Sequence, residues 1–218
     1  VGQHIFLCDV GNDDMRQKMF TFSKETNTSF VKLNVARENM TSATICLRIF
    51  SDLTRAYSLF SLTTPSSVNE MLIYKKPQSK SMFLVKVGEG VAVFRGQNFQ
   101  LNKWQSICAT WNADSGLVQL WIDEKASSRK FTTSSNLEGN FTVVLGQDQN
   151  PADGRPHRSR SFVGMMRDVH MWDYVLSDDN MRSYSQPYTA FPGGNVFTWT
   201  SLDFDIIGNK NKGSCFFL

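Results

Sequence analysis

Apolar and polar side chains alternate with a period of two along most of this chain. In SFVKLNV, Val31, Leu33 and Val35 point one way while Lys32 and Asn34 point the other, the pattern of a strand with one buried face. The segments ATICLRIF, MLIY, MFLVKV, VAVF, GLVQLWID and NFTVVLG read as further strands separated by turn formers. Many short strands of this kind predict an all-β chain folded as a two-sheet antiparallel sandwich or jelly roll. One segment departs from the alternation. In SDDNMRSYSQP, Ser177 can cap a helix, Asp178 and Asp179 suit its positive N-terminus, Met181 and Tyr184 share a face, and Pro187 ends it. This predicts one short α-helix near 177–186 against the sandwich. No repeat, low-complexity stretch or linker interrupts the pattern, so residues 1–218 are expected to form a single domain, with an N-terminal extension of about 1–17 and a C-terminal tail of about 206–218.

Composition adds a setting. With 218 residues, 41% hydrophobic and 12% aromatic, the chain can bury a sizeable core. Its 23 basic and 20 acidic side chains leave a net charge of +3, too small a field to argue for nucleic-acid recognition or an anionic membrane. Any electrostatic recognition must be local. No apolar run approaches the roughly eighteen residues of a membrane span. The opening VGQHIFLCDVGNDDM lacks the basic start and apolar core of a secretory leader, so the chain reads as a mature form without membrane insertion.

Four cysteines, Cys8, Cys46, Cys108 and Cys215, form no C-x-x-C pair, which favours disulfides over zinc or thiol redox chemistry. Cys46 and Cys108 lie in strand-like segments, where a bridge between neighbouring strands fits. Cys8 and Cys215 then remain near the two ends, to tie the termini together or to pair between chains. Three N-x-S/T sequons, at Asn27, Asn39 and Asn140, fall beside polar turn residues. With the even cysteine count they point to a secreted, extracellular glycoprotein.

Residues 146–164, GQDQNPADGRPHRSRSFVG, gather oxygens at Asp148, Gln149 and Asn150 and then cationic groups at Arg155, His157, Arg158 and Arg160. By composition alone this is a solvated surface loop. It is not an EF-hand, because counting from Asp148 the sixth position is Asp153 rather than Gly and the twelfth is Ser159 rather than Glu. Enzyme signatures such as G-x-S-x-G, H-E-x-x-H and the P-loop are absent. His4, His157 and His170 are scattered, and His170, in VHMWD, reads as a packed strand histidine. Asp203 and Asp205 in LDFDI share a strand face, the way a jelly-roll glycosidase can mount two carboxylates, but such a pair works only at a set separation across a sugar.

The stretches WQSICATWNADSGLVQLWID, VVLGQDQN and SFVGMMRDVHMWDYVLSDDNM, in that order, resemble short members of the pentraxin family, with similarity from about Lys18 in KMFTFSKET to about Asp205. The family signature H-x-C-x-[ST]-W-x-[ST] stands here as SICATWNA. Cys108, Thr110 and Trp111 are kept, while Ser106 replaces the His and Ala113 the final hydroxyl residue. The resemblance implies a flattened, concanavalin-like two-sheet jelly roll, a Cys46–Cys108 bridge, a helix at the predicted place and cyclic homo-oligomers. In such rings one face binds ligand through calcium and the other engages complement or Fc receptors.

Laid on the family pattern without gaps, the Asp-Asn calcium pair falls on Val68-Asn69 and the Glu-Gln-Asp run on Asp148-Gln149-Asn150. The downstream acid falls on His157 and the amide on Arg160. The resemblance thus implies metal ligands at Asn69, Asp148, the Gln149 carbonyl and Asn150, with one formal negative charge. Calcium takes six to eight oxygens and binds tightly only to anionic sets, so one weak Ca2+ site per subunit is expected and a second is lost. Arg160, with His157 or Arg158, is expected to offer a phosphate the charge that a second calcium would supply, since Arg can grip phosphate bidentately. Tyr74 and Glu89 fall on a hydrophobic wall and on an acid that meets a choline ammonium. Leu84 stands between them where the family carries a small polar residue, and Asp123 falls on the effector face that contacts complement. The reading is a secreted, lectin-like, acute-phase pattern-recognition protein of innate immunity, binding phosphocholine-like, anionic or polysaccharide ligands multivalently with help from calcium. A ring-forming structural or regulatory pentraxin with a degenerate ligand site is the alternative.

Overall fold

A computed structural model describes residues 5–6, 14–149, 156–186 and 189–208. His4, Cys8, Asn150, Asp153, Arg155, Pro187 and Cys215 lie outside the described residues. In chain order the strands are β1 (Ile5–Phe6), β2 (Phe20–Phe22), β3 (Phe30–Asn34), β4 (Asn39–Met40), β5 (Ser42–Phe50), β6 (Tyr57–Thr63), β7 (Met71–Lys75), β8 (Met82–Val87) and β9 (Gly90–Arg95). There follow β10 (Gln105–Asn112), β11 (Leu117–Ile122), β12 (Lys125–Ala126), β13 (Lys130–Phe131), β14 (Leu137–Glu138), β15 (Thr142–Leu145), β16 (Gly164–Trp172) and β17 (Phe204–Ile207), with one helix, α1 (Asp178–Ser185).

One sheet runs β1-β2-β16-β5-β10-β11-β12, with β13 also on β11, and the other runs β17-β3-β15-β6-β7-β8-β9. Adjacent strands in both are antiparallel, so the all-β, two-sheet sandwich with a short helix stands as the alternation predicts. Ala43, Ile45, Leu47 and Ile49 of β5 and Ile107, Ala109 and Trp111 of β10 share one apolar core with Ile73, Phe83, Val85, Val143 and Leu145 of the other sheet. One short strand near each end of the chain joins in at a sheet edge. β1 pairs with β2, and β17, which holds residues 206 and 207, pairs with β3.

The second face of β5 and β10 carries Cys46 and Cys108, which are direct cross-strand partners joined by a disulfide. On this bridge, with Trp121, Trp172 and Leu176, lie Met181 and Tyr184 of α1. The Ser177 hydroxyl accepts the Asn180 N–H at 3.3 Å and caps the helix as predicted. Arg48 holds the other end, donating to the carbonyls of Tyr184, Ser185 and Gln186, where the helix dipole favours a cation. The same guanidinium pairs with Asp168 at 3.3 Å. Asp168 sits at a left-handed φ of 54°, where β16 shifts register against β5. Among the described residues no helix is long and apolar enough to cross a membrane.

Candidate ligand-binding face

The outer face of the second sheet lies on the opposite side of the sandwich from α1. Gly146 directs the loop that leaves β15 across it. At φ 76° a Cβ there would come within 2.6 Å of the Phe22 ring, so only glycine is unstrained. Its N–H donates to Leu59 O at 3.0 Å and its carbonyl accepts from Phe162 N at 2.8 Å, clamping both ends of the loop.

Asn69 reaches this loop from the turn before β7, at a left-handed φ of 54° that asparagine tolerates. Three hydrogen bonds engage its side chain. Oδ1 accepts from Ser61 Oγ at 2.8 Å and from the Gln149 N–H at 3.2 Å, while Nδ2 donates to the Gln149 carbonyl at 2.6 Å. A backbone N–H only donates and a carbonyl only accepts, so the orientation of the amide is fixed. An aspartate here would set an oxygen against the carbonyl.

The Asp148 carboxylate has no solvent exposure. Burial pushes its pKa up, and the adjacent Arg160 guanidinium pulls it back. Arg160 Nη1 donates to Oδ2 at 3.1 Å, whereas Oδ1 is buried with no hydrogen-bond partner. Arg160 is returned to this spot by a short turn, in which the His157 N–H donates to Asp148 O at 3.4 Å and the Arg160 N–H to His157 O at 3.1 Å. Its guanidinium carbon lies 5.7 Å from the centre of the Tyr74 ring, and Lys76 Nζ lies 5.2 Å from the same centre. The Tyr74 ring is thus already met by two cations of the protein itself.

The other residues singled out by sequence are distributed as follows. Arg158 pairs with Glu25 at 3.5 Å, and Arg55 shares that carboxylate at 3.4 Å. His157 is half-buried beside them. Leu84 is the cross-strand partner of Tyr74. Glu89 lies in the exposed β8–β9 turn beyond Val87, so the ladder separates Glu89 from Tyr74 by at least three residue steps, about 10 Å. Lys86 lies between, on the same face as Leu84. Asn27, Asn39 and Asn140 are all exposed. On the opposite side, Asp123 spends its carboxylate on Ser106 N at 2.9 Å and Gln105 Nε2 at 2.9 Å, and its carbonyl on Ser185 Oγ at 2.6 Å. That network ties a turn to β10 and α1. Asp203 accepts from Asn34 Nδ2 at 3.1 Å, and Asp205 stands opposite Lys32 at the sheet edge. Lys76, Arg55, Glu25 and Ser61 were not singled out from sequence. Lys76 alone carried a readable signal, because it stands two residues after Tyr74 in MLIYKK.

The family model described as the Pentaxin family matches residues 18–211. The chain belongs to the pentraxin family. Among its relatives, C-reactive protein of Cavia porcellus is 36% identical over 207 residues, 93% of this chain and 90% of that one. C-reactive protein of Sus scrofa is 34% identical over 197 residues, 89% and 86% of the two chains. Serum amyloid P-component of Cavia porcellus is 32% identical over 204 residues, 93% and 89%. A solved structure, the native heptameric SAP-like pentraxin from Limulus polyphemus, superposes with a TM-score of 0.78 at 18% identity, covering 87% of this chain and 91% of that one.

In this pentraxin the described donors do not fit the calcium ion that the family resemblance implies. Calcium requires six to eight oxygens. The Asn69 oxygen already accepts two hydrogen bonds, the Gln149 carbonyl accepts one from Asn69, and Asp148 holds a guanidinium. Among the described residues no group of three or more His, Cys, Asp or Glu converges. Among the described residues of the loop, the one carboxylate, Asp148, is opposed by the Arg160 guanidinium, which leaves no net negative charge there to attract the ion.

Proposed function

We propose that this pentraxin is a secreted, ring-forming pattern-recognition protein of innate immunity, a binder rather than an enzyme. It captures phosphorylated or anionic polysaccharide ligands on microbial or damaged-cell surfaces, and its opposite face serves complement or Fc receptors. The observation that carries the reading is the pair of cations, Arg160 and Lys76, that flank Tyr74 on the outer face of the second sheet. Arg160 spends one N–H on Asp148 and is 41% exposed, which leaves donors of its fork for a phosphate oxygen. Two cations on one ring repel a third, so recognition falls on the phosphate of a phosphocholine-like ligand and not on its ammonium. A cyclic homo-oligomer, as in the heptameric Limulus relative, adds weak single sites into avidity.

The test is competition on a phosphocholine-coated surface. Inorganic phosphate is expected to displace the protein and choline is not. Lys76→Gln is expected to weaken attachment about tenfold, the value of one charge-assisted contact, without changing the oligomer seen by sedimentation. Displacement by choline alone would refute the assignment of the cations. A second reading, a ring-forming structural or regulatory protein, is favoured by the closure of Asn69 on Gln149 and of Arg160 on Asp148. Intact oligomers that attach to no phosphorylated or polysaccharide surface would decide for it.

A further inference from the structure

We propose that Arg160 is a built-in counter-cation that takes the place of calcium in holding together the two stems of the ligand-side loop, residues 146–149 and 157–162, so that this pentraxin packs those stems without metal. A fully buried carboxylate is costly unless a cation or several donors compensate it, and burial here is complete. The compensation comes first from the guanidinium of Arg160, twelve residues on, with His157 and the Ser58 hydroxyl contributing less. A tethered cation has an advantage over a captured one, because its delivery is encoded in the turn that runs from His157 to Arg160 and is locked by Phe162 N on Gly146 O. The other margin of the loop is closed independently. Asn69 pairs with both backbone groups of Gln149, and Ser61 fixes the amide from below. The Asp148 carboxylate and the Asn69 amide, on the two margins of the loop, are therefore both engaged by protein groups. The inference concerns the loop alone and holds whether or not the face binds phosphate.

Thermal unfolding of the intact oligomer in EDTA and in about 10 mM calcium tests it. The natural chain is expected to melt at the same temperature in both. Arg160→Gln leaves the buried carboxylate without its counter-charge, so its Tm in EDTA is expected to fall. Calcium at about ten times a millimolar Kd is expected to recover about 4 °C of that loss. Arg160→Lys, which keeps the charge, is expected to remain insensitive to calcium. The double variant Asp148→Asn, Arg160→Gln has neither charge and is expected to lose the calcium response. Should Arg160→Gln not fold without metal, the same dependence is read as recovery of folded protein when calcium is present during refolding. A natural chain whose Tm rises with calcium overturns the proposal, and so does a folded Arg160→Gln chain that calcium does not stabilise.

Discussion

Replacing Cys46 and Cys108 together by alanine is expected to lower the stability of the folded subunit by about 4 kcal/mol. The bridge closes a loop with a sequence separation of 62, and in the chain-entropy description a loop of that length restricts the unfolded chain by about that amount. Little of the loss is recovered by relaxation, because the two residues are already fixed as cross-strand partners by the ladder between β5 and β10. The sulfurs are also the floor on which α1 rests, with Cys46 Sγ 4.0 Å from Met181 Sδ. Their removal leaves a small void under the helix that adds to the loss. For a chain of this size the expected fall in Tm is about 8–16 °C. It is read by heat or urea at matched protomer concentration, since assembly makes the midpoint concentration-dependent. Amide exchange should quicken first in α1. A loss below about 1 kcal/mol would mean that the unfolded chain is restricted by something other than this bridge.

The elements most legible in the sequence were those with one wet and one dry face. β3 and β8 alternate in burial along their length, β3 with polar Lys32 and Asn34 on its wetter face, and the helix announced itself through Ser177 and its acidic first turn. β6 was not legible. All seven residues of YSLFSLT are buried, because its outward serines, Ser58 and Ser61, are covered by the Asp148 loop and by Asn69, and a register shift between Ser58 and Phe60 breaks the period. The ligand face was legible as a set of positions but not as a set of bonds. Asn69 and Asp148 were marked as oxygens for a cation. What the sequence did not reveal is that Asn69 meets Gln149 eighty residues away, and that Arg160 turns inward to Asp148 before it can turn outward to a ligand. Charge counting sees which donors are present but not which of them already hold hydrogen bonds. The same blindness affected Tyr74 and Glu89, because Tyr74 lies within the ladder and Glu89 in the turn beyond its end.

Lowering the pH from 7 to 4 is expected to remove about 3 kcal/mol of stability through His170. The ring is buried between β16 and α1, stacked on Trp172 at 5.7 Å and met edge-on by Phe191 at 5.1 Å and Tyr184 at 6.0 Å. Burial, with the Arg48 charge nearby, pushes its pKa down to about 4. The hydrogen bonds agree with that direction. The Trp199 N–H donates to Nδ1 at 3.4 Å, with the Thr198 hydroxyl 3.0 Å away, so Nδ1 is an acceptor and the neutral ring carries its proton on Nε2. The unfolded chain titrates this group near 6.5. Between 6.5 and 4 it therefore binds a proton that the native chain refuses, and the contribution, complete above 6.5, is lost as the pH falls toward 4. His170→Gln keeps an acceptor for the Trp199 N–H but has no charge to gain. Its stability is expected to lie below that of the natural chain at pH 7 and to approach it by about 3 kcal/mol at pH 4, read by urea unfolding of both across the range. The buried carboxyls of Asp148 and Asp168, whose pKa values are raised, are common to both chains and cancel in the difference. A gap that stays constant with pH would mean that His170 titrates as an exposed histidine does. Because the ring joins β16 to the turn at Trp199 on the helix side of the sandwich, acid is expected to loosen that side through this group and to leave the Arg160 face, on the other sheet, outside its reach.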